Sequence, residues 1–154
     1  MSQGRINLHG TAVVLGTRGI VFCGPSGIGK STLAFACLKE ARRAGCFAAL
    51  IADDQVFIEA RDTAVIAQRP PSIAGLIEIR GSGIASIASI GKAVLHLAVR
   101  VEEEDKAQRL PPDDERLDLG TAGSLPLIRL LQGTRDPLAV IAALRPEFRG
   151  EHPF

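Results

Sequence analysis

The chain has neither tyrosine nor tryptophan. A base-stacking surface would have only six phenylalanines and three histidines to draw on, which counts against a single-strand nucleic-acid binder. An excess of charge is also missing. The 18 Lys+Arg against 17 Asp+Glu leave +1, so there is no global basic field for nucleic acid or an anionic membrane. No apolar run approaches the ~20 residues of a membrane span, and Arg18 breaks the longest early candidate. Met1–Gly10 lacks the apolar core of a signal peptide, so a cytoplasmic location is expected. Cysteine is scarce: Cys23, Cys37 and Cys46 are odd in number, and their spacing fits no zinc or redox motif. Three reduced, mostly buried thiols are expected. Repeats and low-complexity segments are absent.

What is present suffices for one folded domain. The chain is 154 residues and 16.3 kDa, and its 46% hydrophobic and 23% charged content excludes a mostly disordered polymer. Arginine outnumbers lysine 14 to 4, which suits planar, bidentate anion recognition, although a high-GC genome gives the same bias. Ile6–Leu15 reads as an extended pair turning near His9–Gly10, followed by a turn at Thr17–Gly19. Gly19–Cys23 and Phe47–Ala52 read as buried strands. Between them a glycine-rich loop leads into a helix over Ser31–Ala44, stopped by Gly45. Val56–Ala60 and Ala64–Gln68 read as a hairpin, and Leu76–Ile79 as a short strand before the Gly81–Gly83 turn. Val94–Val101 alternates like a half-exposed strand. Glu102–Glu115 reads as an exposed charged loop, Leu125–Leu131 as a short apolar run. Pro137–Leu144 fits a helix with Asp136 as its N-cap, before a frayed end.

The sharpest signal is Gly24-Pro25-Ser26-Gly27-Ile28-Gly29-Lys30-Ser31, with Thr32 following. It matches the phosphate-binding loop G-x-x-x-x-G-K-[ST], with a strand before it and a helix after it. Its glycines let backbone N–H groups turn in around phosphates, and the helix start adds partial positive charge. Pro25 has no N–H, so the later loop residues must donate. Lys30 would reach the β- and γ-phosphates, and the Ser31 hydroxyl would ligate Mg²⁺. Asp53 and Asp54 follow a strand directly. In a parallel α/β sheet that strand end lies near the phosphate loop, where one carboxylate can accept a hydroxyl proton and its neighbour can hold Mg²⁺. A surface Asp-Asp turn gives the same pattern. Taken alone, Glu78, His9 and Arg109 each fit an ordinary solvated residue. His96 and His152 fit a strand's exposed face and the chain end.

Taken together, His9-Gly10, the phosphate loop, Ala52-Asp53-Asp54-Gln55-Val56 and Gly75-Leu76-Ile77-Glu78-Ile79-Arg80-Gly81-Ser82-Gly83-Ile84 resemble the catalytic domain of the HPr kinase/phosphorylase family. The likeness covers about residues 4–110 well and the remainder weakly. It implies an α/β phosphate-loop domain related to phosphoenolpyruvate carboxykinase, with a central mixed sheet and flanking helices. It implies transfer from ATP, with pyrophosphate as an alternative donor and Mg²⁺ as cofactor, to a seryl residue of an HPr-type phosphocarrier of the phosphotransferase system. The same resemblance assigns roles. Asp53 is the general base, His9 modulates it, Lys30 and Arg109 are catalytic, and Ser31 and Glu78 are metal ligands, to which the reading of the acidic pair above adds Asp54. Ile77-Glu78-Ile79-Arg80-Gly81 forms a catalytic segment. A homo-oligomer, in the family a hexamer, is implied.

The resemblance is incomplete. The resemblance leads to the expectation of a single catalytic domain with a core of about residues 4–145, without the N-terminal domain of the long form. Ser82 replaces a larger apolar residue. The family's Pro-Val-Arg-Pro-Gly-Arg-Asn segment, tied to phosphorolysis, gives way to Leu125–Arg135, so kinase activity with weak or absent phosphorylase activity is expected. Two other readings compete: a small-molecule phosphate-loop kinase, and an ATP-sensing module without catalysis. The first lacks an arginine-rich lid, because Glu102–Glu115 is net negative; the second would tend to have lost its acids.

Overall fold

A computed structural model describes residues 5–107 and 109–148. Gln108, His152 and the expected frayed end lie outside the described residues. The architecture is α/β with a mixed sheet and few helices. Strands β1 (Ile6–Leu8), β2 (Gly10–Leu15) and β3 (Arg18–Cys23) precede helix α1 (Lys30–Arg43). Then come β4 (Ala48–Ala52), β5 (Val56–Arg61), β6 (Ala64–Gln68), β7 (Leu76–Ile79), β8 (Gly83–Ser86) and β9 (Lys92–Glu102). β10 (Arg116–Asp118), β11 (Ser124–Leu131) and α2 (Pro137–Leu144) close the described chain. Nine strands form one sheet along β1-β5-β6-β9-β3-β2-β4, with β11 added to β9 and β10 to β11, while β7 and β8 form a separate hairpin. No described helix is long and apolar enough to cross a membrane.

The β5–β6 hairpin forms as the sequence predicts. The expected β1–β2 pair does not. β1 is antiparallel to β5, and β2 lies between β3 and β4, antiparallel to both. The segment around His9 is therefore a crossover between two pairings and not a hairpin turn. β3 and β4 run parallel, as expected of a phosphate-loop sheet, but the antiparallel β2 separates them.

Two apolar cores flank the sheet. One holds Phe22, Leu50, Leu97 and Val99 against Leu33, Cys37 and Leu38 of α1 and Leu138 and Ile141 of α2. The other encloses Val21, Ile51, Ala52, Val56, Ile58 and Ala98. β9 is central and covered on both faces, so its half-exposed reading is corrected. Its pairing with β3 jumps from Gly19↔Leu95 to Ile20↔Leu97. This bulge sends Leu95 into the second core while Leu97 stays in the first. Gly19 is required there, because a Cβ would lie 2.2 Å from the Val94 carbonyl oxygen.

The α1 face is the one its apolar spacing predicts, with Leu33, Ala34, Cys37, Leu38 and Ala41 buried; Ala36 sits at its margin. The expected Asp136 cap on α2 is corrected: Asp136 makes no side-chain cap. Glu40, from α1, accepts hydrogen bonds from the Leu138 and Ala139 N–H groups at 3.4 and 3.0 Å. A carboxylate at a helix N-terminus satisfies orphan donors wherever it comes from in the chain. All three cysteines are free, Cys23 and Cys37 buried and Cys46 partly so.

Candidate active site

The loop between β3 and α1 carries positive φ at Gly24, Gly27 and Gly29, the last being the N-cap of α1 at φ 112°. A residue with a Cβ is strained at that angle, which is why glycine stands immediately before Lys30. Lys30 is only 6% exposed, and its ammonium donates to the carbonyls of Gly24 and Pro25 at 2.9 and 3.0 Å. Burial pushes its pKa below the ordinary lysine value, against the opposing pull of Asp54, Cys23 and Asp53.

Asp53 follows β4 and is 7% exposed. Its direction depends on an irregularity between β2 and β4, where Ala12↔Ala52 is followed by Val13↔Leu50. Ile51 and Ala52 consequently both face the second core, whereas Leu50 faces the first. Strict alternation from Leu50 would point Asp53 away from α1; the extra residue turns it toward Ser31. Asp53 Oδ1 accepts from the Thr11 hydroxyl at 2.8 Å and from the Ser31 hydroxyl, and Oδ2 accepts from the Glu78 N–H at 2.9 Å. Asp54 takes the left-handed conformation, φ 72°, and its Oδ1 lies 2.7 Å from His9 Nε2. Its carbonyl accepts from the Gly10 N–H at 3.2 Å. The two crossovers, at His9 and at Asp54, are thus joined.

The β7–β8 hairpin forms the opposite wall. Ile77 and Ile79 pack on the first core, and alternation leaves Glu78 exposed between them. Arg80 donates to the carbonyl of Gly27. These walls bound a cleft of about 570 Å³ whose polar lining includes Lys30, Ser31, Asp53, Asp54, Glu78 and Arg80. Ser26, Gly27, Gly29 and Thr32 also line it, and buried Ile28 anchors the loop. His9 reaches the lining through Asp54. Gly81 follows Arg80 with φ 79°. Arg109 is exposed on the loop after β9 and does not line this cleft.

Sequence reasoning missed Thr11 and the apolar lip formed by Ile73, Leu76 and Ile84. Thr11 had a signal. It is the one hydroxyl in the buried strand Gly10–Leu15, and a buried hydroxyl needs a partner. The lip had none, since its residues meet only when the hairpin folds back.

The donor set suits a hard divalent cation: one hydroxyl and carboxylate oxygens beside a phosphate loop. No group of three or more His, Cys, Asp or Glu among the described residues forms a metal cage. Mg²⁺ ordinarily takes one or two carboxylates and completes its shell with waters and phosphates.

The fold and this cleft define an α/β domain with a glycine-rich loop of the phosphate-loop pattern opening onto a polar cleft. Residues 2–116 match the family model described as HPr Serine kinase C-terminal domain, and the chain belongs to that family. It is 34% identical over 148 residues to HPr kinase/phosphorylase of Enterococcus faecalis, covering 89% of this chain and 45% of that protein. It is 29% identical over 156 residues to HPr kinase/phosphorylase of Cupriavidus metallidurans, covering 94% and 46%. The chain thus spans about half the length of these relatives. In fold it is similar to the Hpr(Ser) kinase/phosphatase from Coxiella burnetii, with TM-score 0.74, 22% identity, and 92% of this chain and 95% of that one covered.

Proposed function

We propose that this domain transfers the γ-phosphoryl group of ATP to a seryl hydroxyl of an HPr-type phosphocarrier, with Asp53 as general base. The observation that carries the reading is the setting of Asp53, a buried carboxylate on the cleft floor joined to Ser31 of the phosphate loop. An ionised carboxylate has about four acceptor positions. Three are filled by Thr11, Ser31 and the Glu78 N–H, which leaves one for an incoming hydroxyl. No cation is paired to it by salt bridge among the described residues. A seryl hydroxyl is a weak nucleophile near neutral pH and gains from such a base. In the reverse direction Asp53 would return the proton. His9 modulates the pair by holding Asp54 at 2.7 Å.

Lys30 would exchange its bonds to the Gly24 and Pro25 carbonyls for phosphate oxygens as the loop N–H groups close on them. Ser31, Glu78 and Asp54 are the residues that would hold Mg²⁺. Bound there, the ion neutralises charge on the β- and γ-phosphate oxygens. Transfer also needs an arginine on the developing charge. We assign Arg80, which lines the cleft, in place of Arg109, which does not. Pyrophosphate fits the same loop as an alternative donor. Phosphorolysis is weak or absent, because Leu125–Arg135 replaces the segment associated with it, and Arg129 within it is bound to Glu102 and Glu115. Assembly into a homo-oligomer, as a hexamer, is part of the proposal, and sedimentation velocity tests it.

The deciding experiment offers γ-labelled ATP and Mg²⁺ to HPr-type carriers, with Asp53→Asn alongside. Acid-stable label on a carrier serine, lost with Asp53→Asn, supports the reading. Tight ATP binding without label would make the domain an ATP-sensing module or a kinase for a small molecule. Robust release of pyrophosphate from the serine-phosphorylated carrier with inorganic phosphate would overturn the weak reverse activity.

A further inference from the structure

Thr11 is fully buried on β2, and its hydroxyl proton goes to Asp53 Oδ1 at 2.8 Å. The two hydroxyls on this oxygen differ in what carries them. Ser31 belongs to the phosphate loop and answers to whatever fills it. Thr11 belongs to a strand hydrogen-bonded on both sides, where its register partner is Phe22 on β3 and the next residue pairs Ala12↔Ala52 with β4. Both Thr11 and Asp53 point to the α1 side of the sheet: Thr11 through ordinary alternation from Val13, Asp53 through the bulge at Ile51. The bulge leaves Asp53 just past the last residue of β4, where the backbone alone does not fix its side-chain rotamer.

We infer that Thr11 is a positioning residue for phosphoryl transfer, holding the Asp53 carboxylate in one orientation whether or not the phosphate loop is filled. This rests on the proposed role of Asp53. Thr11 is fully buried and acts through the Asp53 carboxylate. It supplies a rigid donor that keeps Oδ1 turned toward the strand and leaves the free acceptor position of the carboxylate toward the cleft.

The test compares Thr11→Val, which keeps the shape and removes the donor, with Thr11→Ser, which keeps the donor. Thr11→Val should lower kcat for the carrier about tenfold, the scale of one lost oriented hydrogen bond, with KM for ATP within about twofold. Thr11→Ser should restore kcat to within about twofold of the parent. Independently of activity, three-bond NMR couplings at Asp53 should report a single χ1 in the parent and in Thr11→Ser, and averaging in Thr11→Val. A Thr11→Val variant with parental kcat and a single Asp53 χ1 overturns the assignment. So does equal loss in both variants that tracks only their melting temperature. If the parent phosphorylates no carrier, the proposed function fails, and the coupling measurement alone then supports or overturns the holding of Asp53 by Thr11.

Discussion

Asp53 and Glu115 are both held carboxylates, and they are held in opposite ways. Asp53 receives two hydroxyls and one backbone N–H, all neutral. Glu115 receives a two-pronged guanidinium, with Arg129 Nε and Nη2 each 2.7 Å from its oxygens, and the same arginine reaches Glu102 at 3.1 Å. Neutral donors fix a carboxylate and leave its charge in place. A paired cation fixes it and cancels the charge. The first arrangement suits a group that must still attract a proton or an ion. The second suits a staple: Glu102 ends β9 and Glu115 precedes β10, so Arg129 ties together the two ends of the charged loop between them.

The largest break in that comparison is chemical. Asp53→Asn should keep nucleotide binding and lose about 10³-fold in transfer, read by single-turnover labelling beside equilibrium nucleotide binding. Lys30→Ala should lose both. Next comes the choice of arginine. Arg80→Ala should cost roughly 10–100-fold in transfer, whereas Arg109→Ala should stay within about twofold. The reverse order would return the role to the loop.

The staple should behave oppositely. Arg129→Met leaves two partly buried glutamates facing each other and should cost about 1–2 kcal/mol in urea unfolding, with transfer little changed. Glu40→Ala removes the cap of α2 and should cost about 1 kcal/mol.

The smallest effects are in pH. Hydrogen bonding to Arg129 holds Glu115 below the ordinary glutamate value of 4.5. Its stabilisation is therefore complete above that pH and is lost as pH falls through the folded value. Burial raises Glu40 above 4.5, with the Ala139 and Leu138 N–H groups opposing. The sign reverses: the folded state binds that proton more tightly, so ionised Glu40 costs stability as pH rises from 4.5 through its raised value. Unfolding followed from about pH 3 to 7 should lose part of its acid slope in Glu115→Gln and gain slope in Glu40→Gln.

What was legible in the sequence was local. The glycine-rich loop, α1 and the β5–β6 hairpin each depend on residues close in the chain. β9 is not legible this way, because alternation reports one buried face, and this strand has two, with a bulge that alternation does not register. The pairing of Ile6–Leu15 is not legible either, because its strand partners lie far away in sequence. Asp136 looked like a cap because nothing local shows that Glu40, on another helix, takes that place.

The order of residues was enough to reveal the glycine-rich loop, since a backbone cradle needs glycines, a lysine and a hydroxyl in one short run. Packing settled which carboxylate meets the loop serine, what else holds it and which arginine shares its cleft. A one-residue bulge, a threonine 42 positions away and the fold-back of a hairpin set those outcomes, and such contacts between distant segments exist only once the chain has packed.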